Sequence, residues 1–119
     1  KPTMETPEMN KMALNLSALA WMAAALSAPA HATDVADVTE LAKASGCFSC
    51  HSVGEKVVGP AFAAVAEKYA GQKDAVAELA MSIQNGSVRK WGRVPMPPHA
   101  SLPAEDVKRL AEWVMATKR

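Results

Sequence analysis

Apolar residues recur at three- and four-residue intervals in four stretches of the chain, and no run alternates with period two. Residues 34–45 carry Val35, Val38, Leu41 and Ala42 on one helical stripe, with Asp34 and Asp37 in the first turn and Gly46 as a stop. A second helix is expected over 60–69, opened by Pro60, with Phe62, Val65 and Ala66 inward and Gly71 beyond it. A third is expected over 74–85, where Asp74 is an N-cap, Val76, Leu79, Ala80 and Ile83 form one face, and Gly86 ends the run. The last opens at Pro103, puts Glu105 and Asp106 in its first turn, carries Val107, Leu110, Ala111 and Val114, and closes on Lys118 and Arg119. Residues 52–59, with Gly54 and Gly59, read as loop; residues 87–101, with Gly92, Pro95, Pro97 and Pro98, read as extended loop. The expected fold is all-α.

The front of the chain follows another pattern. Lys11 precedes an apolar run over 13–26, and Ala30-His31-Ala32 ends it as an Ala-x-Ala cleavage site. Residues 1–32 therefore read as a secretory signal with upstream residues, cleaved after Ala32, with Met9 as the favoured start. The run is shorter than the ~20 residues of a membrane span; an uncleaved anchor is the competing reading. Residues 33–119 form one small domain, destined for the periplasm, with eleven Lys and Arg against ten Asp and Glu. That balance lacks the basic excess of a nucleic-acid binder. With only Phe48, Phe62, Tyr69, Trp91 and Trp113 as aromatics, such a chain buries a marginal core unless something else fills its centre.

Cys47-Phe48-Ser49-Cys50-His51 supplies what could fill it. Two thiols at this spacing can add across the two vinyl groups of a porphyrin, and the histidine that follows can bind the iron. The chain has two cysteines in all, so both are spent here. A redox-active Cys-x-x-Cys would need a βαβ pattern that is lacking. A zinc site would need four ligands, and the other histidines are His31 and His99. A simple disulfide between Cys47 and Cys50 is the remaining alternative.

Iron held by one histidine has one more axial position. Met96 is the leading candidate, because Pro95 and Pro97 fix the backbone on both sides and lower the entropy lost on ligation. Met81 and Met115 fall within expected helices, where methionine usually packs; Met81 and His99 are the competitors.

The chain resembles the class I bacterial cytochromes c, in particular the short cytochrome c-551 type. The resemblance runs through Gly46-Cys47-Phe48-Ser49-Cys50-His51, Val58-Gly59-Pro60-Ala61-Phe62 and Tyr69-Ala70-Gly71-Gln72. It continues in Ile83-Gln84-Asn85-Gly86-Ser87, Trp91-Gly92-Arg93-Val94-Pro95-Met96-Pro97-Pro98 and Leu110-Ala111-Glu112-Trp113-Val114, covering 34–118. It implies four to five short helices wrapped around one covalent haem c, with thioethers from Cys47 and Cys50 and axial bonds from His51 and Met96. It further implies that the Pro60 carbonyl accepts a hydrogen bond from His51, and that Trp91 donates to a haem propionate. Trp113 is expected to pack the last helix on the first. Two positions depart from the pattern. Ser82 stands where many relatives carry a basic residue near a propionate, and His99 where they carry an asparagine that bonds the methionine sulfur.

A saturated iron leaves no position for a substrate, so the expected role is a soluble one-electron carrier without catalytic residues. It would be a monomer docking transiently with redox proteins, the resemblance suggesting a nitrite reductase or a terminal oxidase. Lys43 and Lys56 are expected beside the exposed haem edge. The alternatives are a haem subunit of a larger redox complex, or a haem enzyme or sensor with an open iron position.

Overall fold

Val107, Leu110, Ala111 and Val114 fall on one stripe of the last helix, and all four are buried. That stripe is the spine of the fold. The structure, a computed structural model, describes residues 35–118. The expected leader and its cleavage after Ala32 lie outside the described residues, as does Arg119. In chain order the elements are α1 (Val35–Ala44), a short 3-10 turn (Cys47–Ser49), α2 (Phe62–Tyr69), α3 (Ala75–Asn85) and α4 (Ala104–Ala116). The first three helices all pack against α4. Among the described residues the only β feature is a single antiparallel bridge between Ser87 and Met96. The all-α expectation holds. No described helix is long and apolar enough to cross a membrane.

Two apolar clusters share α4. Phe62, Val65 and Tyr69 of α2 meet Ala75 and Leu79 of α3 on Ala111 and Val114. Val38 and Ala42 of α1 meet Leu110. Burying a side chain such as Leu110 contributes about 1.5–3 kcal/mol. Phe48, Ile83 and Trp113 border both clusters. Arg109 adds a polar tie between helices, pairing with Asp37 of α1 and, at 3.1 Å, with Asp106 of its own helix. An ion pair this exposed contributes little on its own.

The structure corrects several details. Val35 does not join the α1 stripe: it stands at the first residue of the helix and is 68% exposed. Pro60 does not open α2, because Ala61 is extended (φ −58°, ψ 140°) and the helix starts at Phe62. The first N–H groups of that helix are instead satisfied by the preceding loop, Phe62 N to Ser52 O at 2.9 Å and Ala63 N to Val53 O at 3.0 Å. Asp74 occupies the N-cap position of α3 without a side-chain capping bond. α4 ends at Ala116, so Lys118 falls beyond its last turn.

Candidate haem pocket

Gly46 leaves α1 in the left-handed region (φ 80°), a conformation glycine adopts without a Cβ penalty. The chain then turns tightly, with Cys50 N and His51 N both bonded to Cys47 O at 3.2 and 3.0 Å. That turn brings Cys47, Cys50 and His51 to one pocket. Both cysteines are half-buried and are not bonded to each other in this structure. Burial pushes the Cys47 thiol above its ordinary range, with a backbone hydrogen bond opposing the shift.

His51 is fixed on three sides. Its Nδ1 lies 2.7 Å from the Pro60 carbonyl oxygen. A carbonyl only accepts, so Nδ1 is the donor, and in the neutral ring Nε2 is the nitrogen with the free lone pair. The imidazole stacks on Phe62 with centroids 5.0 Å apart and an interplanar angle of 23°. Gly59 backs the ring so closely that a Cβ there would sit 2.6 Å from His51 Cε1. The loop holding Gly59 is in turn pinned by Gly59 N to Cys50 O at 2.7 Å.

Another stretch of wall comes from the loop between α3 and α4. Ser87 and Met96 exchange both backbone hydrogen bonds, at 3.1 and 2.9 Å, and His99 N bonds to Ile83 O at 2.9 Å. Gly86 (φ 75°) lies against this loop, where a Cβ would approach Met96 O to 2.6 Å. Met96 is thereby placed on the pocket by backbone pairing.

All six residues expected from the sequence, Cys47, Cys50, His51, Pro60, Trp91 and Met96, line this one pocket. Ser82 and His99 line it too, whereas Met81 does not; that side chain is 63% exposed. Trp91 is half-buried, with Lys68 Nζ 4.5 Å from its ring centroid on a face of the indole. Trp113 does more than join α4 to α1. It meets Phe48 and Phe62 edge-to-face, at 6.1 and 5.0 Å, and itself lines the pocket. Lys56 is at the pocket, as expected; Lys43 is not, being paired with Glu40 at 2.7 Å on α1. Three features have no sequence signal pointing to their role: Gly59 behind the histidine, Gly86 against the methionine loop, and Lys90 on the wall.

The donor set and shape suit haem c. The walls are mainly apolar, with Val65, Leu79, Ile83, Leu110 and Val114 among them, which matches a flat macrocycle. Two cysteines, a histidine and a methionine line the same space. Lys56, Arg89, Lys90 and Arg93 supply positive charge for two propionates. Glycines stand at the two places where a Cβ would crowd the His51 ring and the Met96–Pro98 main chain.

Comparison with known proteins agrees. The family model described as cytochrome c matches residues 35–118. The chain is 53% identical over 79 residues to cytochrome c-551 of Pseudomonas denitrificans, covering 66% of this chain and 95% of the relative. It is 52% identical over 79 residues to cytochrome c-552 of Hydrogenobacter thermophilus, covering 66% and 80% respectively. The crystal structure of Nitrosomonas europaea cytochrome c552 superimposes with a TM-score of 0.65 at 45% identity, over 67% of this chain and 99% of that one. Pocket, fold and sequence thus agree, and the chain belongs to the cytochrome c family as a small electron-transport protein with covalently bound haem c.

Proposed function

We propose that this chain carries one electron at a time on a haem c attached through Cys47 and Cys50 and ligated by His51 and Met96. The observation that carries the ligation is the His51–Pro60 hydrogen bond: it commits Nδ1 to the fold and leaves Nε2 for iron, on the same pocket as Met96. Pro60 also keeps the imidazole oriented and raises its basicity. The haem supplies the reversible ferric–ferrous couple. The residues around it bind it, exclude water and set its potential. A thioether is a weak, soft donor that favours ferrous iron, and an apolar pocket acts in the same direction by disfavouring the extra ferric charge.

Two axial ligands from the chain leave no iron position for a substrate, so the protein is not an enzyme in this reading. Trp91, which lines the pocket, would hold a propionate through its indole N–H. Docking takes place at the pocket mouth, where Val58 and Val94 are exposed beside Lys56 and Arg93. Such a small apolar rim with flanking cations suits brief contacts with a donor and an acceptor protein rather than a permanent complex. The carrier acts as a monomer in the periplasm, after removal of residues 1–32.

The oxidised protein is expected to show the weak far-red sulfur-to-iron band of methionine-ligated haem. Its absence sinks the Met96 assignment. N-terminal sequencing of the exported protein should begin at Thr33, and gel filtration should give a monomer; a stable larger assembly would favour the haem-subunit reading.

A further inference from the structure

Among the cations that line the pocket, Lys90 differs in being held in place. Its ammonium lies 3.0 Å from Ser82 Oγ and 3.2 Å from Glu78 Oε1, bridging from the loop after α3 back onto that helix. Glu78 is itself fixed, because the buried Tyr69 hydroxyl donates to the same Oε1 at 3.2 Å. Lys56, Arg89 and Arg93, exposed as Lys90 is, form no ion pair with the described residues. Lys68 lies over Trp91 and is not part of the pocket wall.

The donor count then matters. An ammonium has three N–H donors and no acceptor. Two are taken by Glu78 and Ser82, both from α3, and the third is left for another acceptor. Ser82 and Lys90 both line the pocket, whereas Glu78 does not and stands behind the lysine as its counter-charge. A haem placed here brings two carboxylates to a site where one pre-oriented donor is left over. Charge-assisted bonds of this kind are the strong ones, and the apolar macrocycle would shield the pair from water.

We propose that Lys90, braced by Glu78 and Ser82, binds one haem propionate directly and thereby holds the reduction potential up. The inference rests on the haem reading above. The sign follows from charge: the ferric haem carries one more positive charge than the ferrous, so a fixed neighbouring cation disfavours it. Removing that cation stabilises the ferric state and lowers the potential. The lysine also replaces a water contact of the carboxylate with a fixed one, which alters the vibrational signature of the propionate itself.

The test uses holo-protein of the full chain with Lys90→Gln, Lys90→Arg and, as a control of equal charge loss, Lys68→Gln. The readouts are the midpoint potential at low ionic strength and the propionate-bending band in resonance Raman spectra. Lys90→Gln should lower the potential and shift the band, Lys90→Arg should leave both close to wild type, and Lys68→Gln should move the potential less and the band not at all. An unmoved band in Lys90→Gln overturns the proposal even if the potential falls, because the lysine is then only a nearby charge. Equal effects from Lys68→Gln overturn it as well. The far-red band of each protein checks iron ligation separately: its absence counts against the Met96 assignment, while the propionate band of the covalent haem still decides the role of Lys90.

Discussion

His51 is held by its own ring, whereas Met96 is held by its backbone. The imidazole spends Nδ1 on the Pro60 carbonyl, stacks on Phe62 and is backed by Gly59, and every one of these partners lies within eleven residues of it. Met96 is placed by paired backbone bonds with Ser87, by the close fit of Gly86 and by the anchoring of His99 on Ile83. The difference follows from chemistry. An imidazole has two nitrogens, so one can serve the fold and the other the metal. A thioether has one sulfur, and whatever positions it must come from the chain that carries it.

If that contrast is right, the two sides should fail differently. The largest effect is expected from Met96→Ala, which removes the sulfur and leaves the rest of the wall in place. Its potential should fall by on the order of 0.2 V or more, given how widely axial ligands set haem potentials. Redox titration of the purified variant checks this, and an unchanged potential with an unchanged far-red band would remove Met96 from the ligand set.

Next in size comes a matched pair of glycine substitutions. Gly86→Ala combines a left-handed backbone position (φ 75°) with a Cβ 2.6 Å from a main-chain oxygen of Met96 and 3.0 Å from the nitrogen of Pro98. Neither neighbour can swing away, so about 1–3 kcal/mol of stability should be lost together with part of the far-red band. Gly59→Ala meets the His51 ring, at 2.6 Å from Cε1, 2.9 Å from Nδ1 and 3.1 Å from Nε2, with no left-handed backbone to strain. A ring can tilt. The stability loss there should be about 1 kcal/mol, with the far-red band kept and the imidazole resonances shifted. Denaturant titrations and spectra of the two variants, run side by side, would break the contrast if Gly59→Ala proved the more damaging or abolished the sulfur band.

The same contrast explains what was legible in the sequence. The helices were, because their buried stripes repeat with the period of a helix: Val38, Ala42, Phe62, Val65, Leu79, Leu110 and Val114 are all inside. The residues that meet at the haem pocket were too, since Cys47, Cys50 and His51 are neighbours in one turn and prolines flank Met96. Less was visible wherever the constraint joins distant residues. Gly86 read as a plain helix stop, although its fit against Met96 is what sets the loop. Gly59 read as ordinary loop, since its backbone shows no left-handed φ and its role is the approach of a ring eight residues away. Pro60 read locally as a helix opener, and only the family resemblance pointed to its carbonyl as the partner of His51. Lys90 gave no signal at all, because nothing local says that a loop lysine will reach back to Ser82 and Glu78.

A smaller test probes strain in the methionine wall. Arg89 sits at φ 58°, the one described non-glycine residue in the left-handed region. That costs an arginine roughly 1–2 kcal/mol, of which the greater unfolded freedom of glycine would cancel roughly half. Arg89→Gly should therefore raise stability by no more than ~1 kcal/mol. A clear loss in denaturant titration would mean that the arginine side chain holds the loop, and the backbone account of this wall would need revising.

The smallest effect concerns Tyr69, which touches the methionine side through Glu78 and Lys90 and is the one tyrosine of the chain. Burial pushes its phenol above the ordinary value; Lys90 opposes the shift and Glu78 adds to it. A folded-state value above the unfolded one means that the native protein keeps its proton longer. The resulting stability is fully present below pH ~10, where a free phenol titrates, and is lost as pH rises through the higher folded value. Ultraviolet difference titration reads this one phenol directly, and denaturant midpoints on either side of its transition read the linked stability. Tyr69→Phe should flatten the alkaline decline, since phenylalanine has no proton to lose. A phenol that titrates at or below the free value would show that Glu78 and burial do not govern it, and that the brace behind Lys90 is looser than the geometry indicates.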